Sequence, residues 1–95
     1  MNVQEHATVT ALSGDIDVAS ASLLVQLEKK LVFREKIVFD VTGLKHFDST
    51  FLRFLVRLKD HVARNRSATI ELVGVTPRLR RILHITGLAR AFVFA

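Results

Sequence analysis

The chain has 95 residues, and its balance of 49% hydrophobic and 24% charged residues favours a globular domain over disorder. It contains no cysteine, which excludes disulfides, thiolate metal sites and thiol nucleophiles and is consistent with a reducing cytoplasm. Its net charge of +5 leaves nucleic acid, a membrane surface and an acidic protein as partner classes to weigh.

The first residues lack the basic and apolar pattern of a secretory signal. No apolar run approaches the about 20 residues that span a bilayer. We therefore expect residues 1–95 to form one domain in the cytoplasm, without direct membrane insertion.

Alternating apolar and small polar residues from Ala7 to Ser13 predict a strand, which Gly14 and Asp15 end. A helix is predicted after Asp17, whose carboxylate is placed to accept a hydrogen bond from the amide of Ser20. The apolar side of this helix is formed by Leu23, Leu24, Leu27 and Leu31.

The run from Lys36 to Val41 is rich in β-branched residues and predicts a strand buried on both faces. A loop, Leu44 to Phe47, leads to Asp48, where a second helix begins. Its apolar side is formed by Phe51, Leu55, Leu58 and Val62. Its basic outer face is formed by Arg53, Arg57 and Arg64.

A third strand is predicted from Ala68 to Val73. Thr76 and Pro77 then form a typical helix start, and Gly87 is a natural helix end. The apolar face of this helix is formed by Leu79, Ile82 and Leu83. The apolar tail, Ala91 to Ala95, is expected to pack back on the body of the domain.

The predicted order is strand, helix, strand, helix, strand, helix, with short connections. This alternation is typical of an α/β domain in which helices cover a largely parallel sheet.

Signals of catalysis and of metal or cofactor binding are weak. The glycines are scattered and form no phosphate-binding loop. The histidines, His6, His46, His61 and His84, lack the spacing of metal ligands. Ser49, His46 and Asp48 supply the residue types of a catalytic triad, but their closeness in one turn without a nucleophile elbow favours helix capping. We expect no enzyme activity, no metal and no cofactor.

The turn Asp48-Ser49-Thr50 has two interpretations. Aspartate, serine and threonine are preferred helix caps, so the turn satisfies free backbone amides. Alternatively, one of its hydroxyls is a modification site, since a phosphate there would meet the positive end of the helix. The residue types alone leave both open.

Three segments resemble motifs of the STAS family, the domain of sulfate transporters and anti-sigma factor antagonists. Gly14-Asp15-Ile16-Asp17 looks like the family's Gly-Glu-Leu-Asp turn. Phe47-Asp48-Ser49-Thr50 looks like its Asp-Ser-Ser-Gly turn. The segment from Gly74 to Leu83, followed by Thr86-Gly87-Leu88, is similar to its third helix and Thr/Ser-Gly-Leu ending. Together they cover nearly the whole chain in the family's order.

The resemblance implies a mixed sheet with helices mainly on one face, and a role in bacterial partner switching that regulates transcription. In that scheme the domain binds an anti-sigma factor with serine kinase activity, which phosphorylates Ser49, and a serine phosphatase restores the free form. Thr50 is a less favoured acceptor. Asp48 is the neighbour and cap of the acceptor, and Asp17 lies on the adjoining turn, where it contributes to the partner surface.

Two positions depart from the family's pattern. Phe51 replaces a glycine, and Arg53 replaces a small residue, where a partner's backbone approaches. Phe51 is either a contact for a dedicated partner or a core residue on the stripe of Leu55 and Leu58. The predicted partner-binding set is Asp17, Asp48, Ser49, Thr50, Phe51, Arg53 and Arg57.

A second hypothesis is a STAS subunit that is not phosphorylated, in a membrane-transport or stressosome-like assembly, with Phe51 and Arg53 making a permanent contact. Nucleic-acid binding is disfavoured, because no recognition motif accompanies the basic stripes that include Arg78 and Arg81.

Overall fold

The structure is a computed structural model that describes residues 1–64 and 68–95. Within these residues the chain forms six strands and three α-helices. The strands are β1 Asn2–His6, β2 Val9–Ile16, β3 Lys36–Asp40, β4 Leu44–Phe47, β5 Thr69–Val73 and β6 Val93–Phe94. The helices are α1 Ala21–Leu31, α2 Ser49–Arg64 and α3 Pro77–Ile85, with short 3-10 turns at Val18–Ser20 and Leu88–Ala91.

The strands form a mixed, largely parallel sheet, as predicted. The order is β1-β2-β3-β5-β6, and β4 pairs with the second half of β2. Only the β1–β2 pair among the described strands is antiparallel. The strand β2 pairs with β3 through Val9–Ala11 and with β4 through Gly14–Ile16. Within the β2–β4 pair the register shifts between Gly14 and Asp15.

The strands β1 and β4 were not predicted from the sequence. All five side chains of β1 are exposed, so this edge strand has no apolar alternation to reveal it. The segment Leu44–Phe47, which we expected to be a loop, has only four residues and is held by backbone pairing with β2. Both strands depend on partners distant in sequence or on a tight turn, which composition does not encode.

The helices pack mainly on one face of the sheet and enclose the core. Alternate residues of the central strands point into it and are buried: Leu12, Ile37, Phe39, Ile70 and Leu72. In α1, Leu24, Leu27 and Leu31 are buried as expected, but Leu23 is 46% exposed. That correction reflects helix geometry, because the residue before Leu24 points about 100° away from it.

The third helix and the tail follow the sequence rules closely. The Thr76 hydroxyl accepts a hydrogen bond from the Leu79 amide at 3.3 Å, and Pro77 is the first helical residue. Gly87 ends the region with a left-handed φ of 78°. Phe92 is buried and β6 pairs with β5, so the tail packs back on the body. Within residues 1–64 and 68–95, no helix has the length and apolar character needed to cross a membrane.

Candidate functional site

Two helix-opening turns lie side by side at the carboxyl edge of the sheet. In the parallel pair β2–β4, Ile16 is the partner of Phe47, and the next residues are Asp17 and Asp48. The Asp48 amide continues the pairing by donating to the Ile16 carbonyl at 3.2 Å. The predicted neighbourhood of Asp17 and the Asp48 turn is therefore present in the structure.

Asp48 caps α2. Its Oδ1 accepts a hydrogen bond from the Thr50 amide at 2.8 Å, and its carbonyl accepts one from the Phe51 amide at 3.2 Å. These bonds use amides that have no partner within the helix. The carboxylate thus has the capping contact that the sequence favoured over a catalytic role.

Asp17 plays a similar part at the start of the Val18–Ser20 turn. Its Oδ1 accepts from the Ala19 amide at 2.9 Å, whereas the Ser20 amide donates to the Asp17 carbonyl at 2.9 Å. The predicted bond from Ser20 to the carboxylate is corrected accordingly. The reason is that a tight 3-10 turn precedes α1 and brings the Ala19 amide nearest to the carboxylate.

Ser49 is the first residue of α2 and is exposed. Among the residues that the structure describes, its hydroxyl forms no hydrogen bond. Thr50 is half-buried beside it. Of the two hydroxyls in the turn, Ser49 is thus more accessible to another protein.

Phe51 lies beneath the turn with 0% of its surface exposed. Its ring meets Phe47 edge to face at 5.8 Å and stacks on Phe54 at 6.4 Å between centroids. Of the two interpretations of Phe51, the core one is right. The prediction that its side chain contacts a partner is wrong, because no part of it reaches the surface.

The two predicted arginines differ in their surroundings. Arg53 is exposed, one helical turn after Ser49, and forms no ion pair among the described residues. Arg57 Nε donates to Glu28 Oε1 at 2.6 Å, and His61 Nε2 lies 3.5 Å from the other oxygen of that carboxylate. Arg57 therefore links α2 to α1, and its charge is compensated within the domain.

A residue that sequence reasoning did not place at this edge is Arg78. Its guanidinium lies 5.7 Å from the centroid of the Phe47 ring, so the start of α3 adjoins the strand that leads to the Asp48 turn. The sequence shows that Phe47 is an aromatic residue at the end of a predicted loop before α2, which is one half of this contact. The approach of Arg78 to Phe47 depends on the order of the strands, which the sequence does not show.

The edge carries exposed carboxylates, the exposed Ser49 hydroxyl, and the exposed guanidinium groups of Arg53 and Arg78. Within residues 1–64 and 68–95, no three histidine, aspartate or glutamate side chains gather as metal ligands would. The fold and this edge define a small α/β domain with polar and charged groups exposed where its helices begin.

The chain belongs to the STAS domain family: the family model described as Mlab, STAS domain matches residues 1–94. No curated protein matches the sequence significantly.

Solved structures agree with the family and the fold. An anti-sigma factor antagonist from Mycobacterium paratuberculosis is similar with a TM-score of 0.76 and 26% identity, over 98% of this chain and 81% of that chain. The Bacillus cell fate determinant SpoIIAA in its phosphorylated form has a TM-score of 0.74 at 15% identity, over 99% of this chain and 89% of that chain. A sulfate transporter family protein from Wolinella succinogenes has a TM-score of 0.70 at 19% identity, over 90% of this chain and 74% of that chain.

Proposed function

We propose that this domain is an anti-sigma factor antagonist that works by partner switching in the bacterial cytoplasm. Unmodified, it binds an anti-sigma factor with serine kinase activity through the edge formed by Asp17, Asp48, Ser49 and Thr50. The kinase phosphorylates Ser49 and so ends binding, and a serine phosphatase restores it. The domain itself is a regulatory binding module and not an enzyme.

The observation that carries the proposal is the position of Ser49. Its exposed hydroxyl stands at the first residue of α2, directly after a carboxylate that is already bonded to the backbone at 2.8 Å. A kinase can reach this oxygen without unfolding any element. The similarity to an anti-sigma factor antagonist over 98% of the chain supports the same role.

Phosphorylation at this point would act on binding more than on folding. A phosphoserine carries about −1.5 to −2 charges at pH 7 and favours a helix N-terminus. It would stand beside the exposed carboxylates of Asp17 and Asp48. The phosphate would thus add bulk and charge where a partner must approach. The buried packing of Phe51 beneath the turn would stay unchanged.

Arg53 fits this scheme as a specificity residue. It lies one turn from Ser49 on the same side of α2, is exposed, and has no ionic partner among the described residues. A partner adapted to this chain would therefore need room and a negative or hydrogen-bonding group opposite the guanidinium. Since Phe51 is buried, it does not obstruct such a partner.

The test uses the kinase-type anti-sigma factor of the same organism, with ATP and magnesium. Wild type should acquire one phosphate, located on Ser49 by mass spectrometry of the peptides, and should lose affinity for the kinase after modification. Ser49→Ala should bind but not be modified, and Ser49→Glu should bind at least about tenfold more weakly. Wild type that binds but carries no phosphate on Ser49 or Thr50 would refute the switch.

Matched controls separate the site from its surroundings. Ser22→Ala removes another exposed hydroxyl, on α1, and should alter neither modification nor binding. Thr50→Val tests the second hydroxyl and should leave phosphorylation in place. Failure of every variant and of wild type to bind the kinase would contradict the antagonist role itself.

A second candidate is a STAS subunit of a membrane-transport assembly that is not switched by phosphate. Two observations favour it: the matching model is described as Mlab, STAS domain, and a sulfate transporter family protein shares the fold. In this case Arg53 makes a permanent ionic contact. Purification of the tagged chain from its own cells distinguishes the two, since a transport subunit in stoichiometric amount supports this candidate and a kinase-type anti-sigma factor contradicts it.

A further inference from the structure

The positive charge of the chain is concentrated at one end. Residues 72–95 contain four arginines and no aspartate or glutamate, whereas residues 1–71 carry ten basic and nine acidic side chains. Four of the five net charges therefore belong to α3 and the segment that follows it. Basic and acidic side chains nearly balance in residues 1–71, whereas the arginines of residues 72–95 have no acidic side chain in the same segment to balance them.

The fold keeps this charge on the surface. All four arginines are exposed, and none forms an ion pair among the described residues: Arg78, Arg80, Arg81 and Arg90. Of the arginines elsewhere, Arg34 and Arg57 each meet a glutamate, whereas Arg53 resembles the arginines of α3 in having no ion pair among the described residues. The absence of a local carboxylate leaves the guanidinium groups of α3 open to an external anion.

Two of these arginines are held in place by aromatic rings. The Arg78 guanidinium lies over Phe47 at 5.7 Å and the Arg80 guanidinium over Phe94 at 4.8 Å, on opposite flanks of α3. Stacking of this kind leaves the N–H groups free to donate outward while limiting side-chain motion. Less conformational entropy is then lost on binding, which favours association with a negative group.

An apolar residue stands among the charges. Ile85 is 76% exposed and lies one turn after Arg81, on the side of α3 opposite the buried Leu79 and Leu83. A solvated helix face gains nothing from an isoleucine at this position. An exposed apolar residue that shares a helix face with arginines is the composition of a protein interface, in which arginine and large apolar residues carry binding energy.

We infer that the outer face of α3, formed by Arg78, Arg81 and Ile85 and flanked by Arg80, docks a partner protein through an acidic surface with a small apolar pocket. A lipid surface fits less well, because a membrane-binding helix needs a broad apolar face and α3 exposes one large apolar side chain there. Nucleic acid fits less well, because Ile85 would meet phosphate. This surface adjoins the Asp48 turn through Arg78 but does not depend on phosphorylation of Ser49.

The test is a titration of the full chain, labelled with ¹⁵N, with three probes at physiological salt. The first probe is a short helical peptide of glutamates with one leucine per turn, the second is duplex DNA, and the third is vesicles containing phosphatidylglycerol. The peptide should bind saturably and shift the amides of residues 77–85, with little effect on α1. It should bind more tightly than either of the other probes.

Variants make the result specific. Arg78→Glu combined with Arg81→Glu should weaken peptide binding by about tenfold or more. Ile85→Ala should weaken it by about fivefold through lost apolar burial. The matched control, Lys29→Glu combined with Arg64→Glu, changes the net charge equally at exposed positions on other helices and should change affinity less than about twofold.

Circular dichroism and thermal melting confirm that each variant is folded before binding is compared. No shift in residues 77–85 at saturating peptide would overturn the inference, as would an equal loss of affinity in the matched control. Tighter binding of DNA or of the vesicles at the same residues would also overturn it, since it would replace the acidic protein by another class of partner.

Discussion

The first turns of α2 and α3 share an architecture but differ in charge. Each follows a parallel strand, each is capped by a side chain, Asp48 in one and Thr76 in the other, and both lie at the carboxyl edge of the sheet. The start of α2 is acidic and offers a hydroxyl, whereas the start of α3 is basic. One fold thus places two surfaces of opposite charge next to each other.

The two starts also rest on different supports. Phe51, Phe54 and Phe39 form a chain of ring contacts under α2, with centroids 6.4 Å and 5.8 Å apart. Under α3 the buried residues are Leu79 and Leu83. The base is therefore aromatic under the Asp48 turn and aliphatic under the start of α3, and each prediction below tests a part of this comparison.

The largest effect is expected for Phe51→Ala, which leaves a cavity in the core beneath the Asp48 turn. Loss of a fully buried ring should reduce the free energy of unfolding by about 3–5 kcal/mol, measured by denaturant titration. Phe51→Leu keeps most of the apolar volume and should cost much less. A cost of less than about 1 kcal/mol for the alanine variant would mean that the ring is not a core residue.

The next largest effect is expected for Gly74→Ala. Gly74 lies in the connection from β5 to α3, where it contacts Thr42 in the turn between β3 and β4. Gly74 has a φ of 74°, and an added Cβ would lie 3.1 Å from the Thr42 Cα. Left-handed backbone alone should cost about 1–3 kcal/mol, and the contact with Thr42 should add to it. Gly87→Ala is the matched control, since its φ is 78° with nothing within 4 Å. Equal melting temperatures of the two variants would contradict the added contact.

How much the sequence reveals differs between these regions for physical reasons. Both ends of α3 are predictable in detail, because Thr76 and Pro77 at its start and Gly87 after its end act through rules that span only a few residues. The sequence leaves the burial of Phe51 open, because periodicity is ambiguous in the first turn of a helix and burial there depends on Phe47 and Phe54. The contact of Arg78 with Phe47 depends on strand order, so no local pattern could supply it.

The two caps should also differ in their response to salt. Asp48→Ala and Thr76→Ala should each lower the free energy of unfolding by about 0.5–2 kcal/mol, by leaving helix amides unbonded. Only the Asp48 cap carries a charge that interacts with the helix dipole. The loss of stability caused by Asp48→Ala should therefore be smaller at high salt, as measured by denaturation at two ionic strengths. Asp48→Asn keeps the acceptor and should retain most of the stability. Equal salt dependence for both alanine variants would count against the charge difference.

A smaller effect is expected from the contact that joins the two starts. In a double-mutant cycle, Arg78→Ala and Phe47→Leu should show a coupling energy of about 0.5–1 kcal/mol, the range of an exposed cation–π pair. The same cycle with Arg81→Ala in place of Arg78→Ala provides the control, since Arg81 contacts no aromatic ring among the described residues. Additive single and double variants would show that the two surfaces are neighbours without being coupled.

The smallest effect concerns Asp40, at the end of the strand that leads to β4 and the Asp48 turn. The Thr42 hydroxyl and then the Thr42 amide, which lies 2.9 Å from Oδ1, hold the pKa of Asp40 below its ordinary value of 3.8. A carboxyl whose pKa is lower in the folded chain adds stability above its unfolded pKa and loses it as the pH falls through the folded value. Asp40→Asn should therefore be less stable than wild type at neutral pH, and the difference should narrow below about pH 4. Urea midpoints measured from neutral to acid pH test this, and Thr42→Val should reduce the same pH dependence by removing the hydroxyl donor. If wild type and Asp40→Asn differed in urea midpoint by the same amount at every pH, the effect of Asp40 would come from its shape and not from its charge. The stability of the connection from β3 to β4 would then not depend on pH.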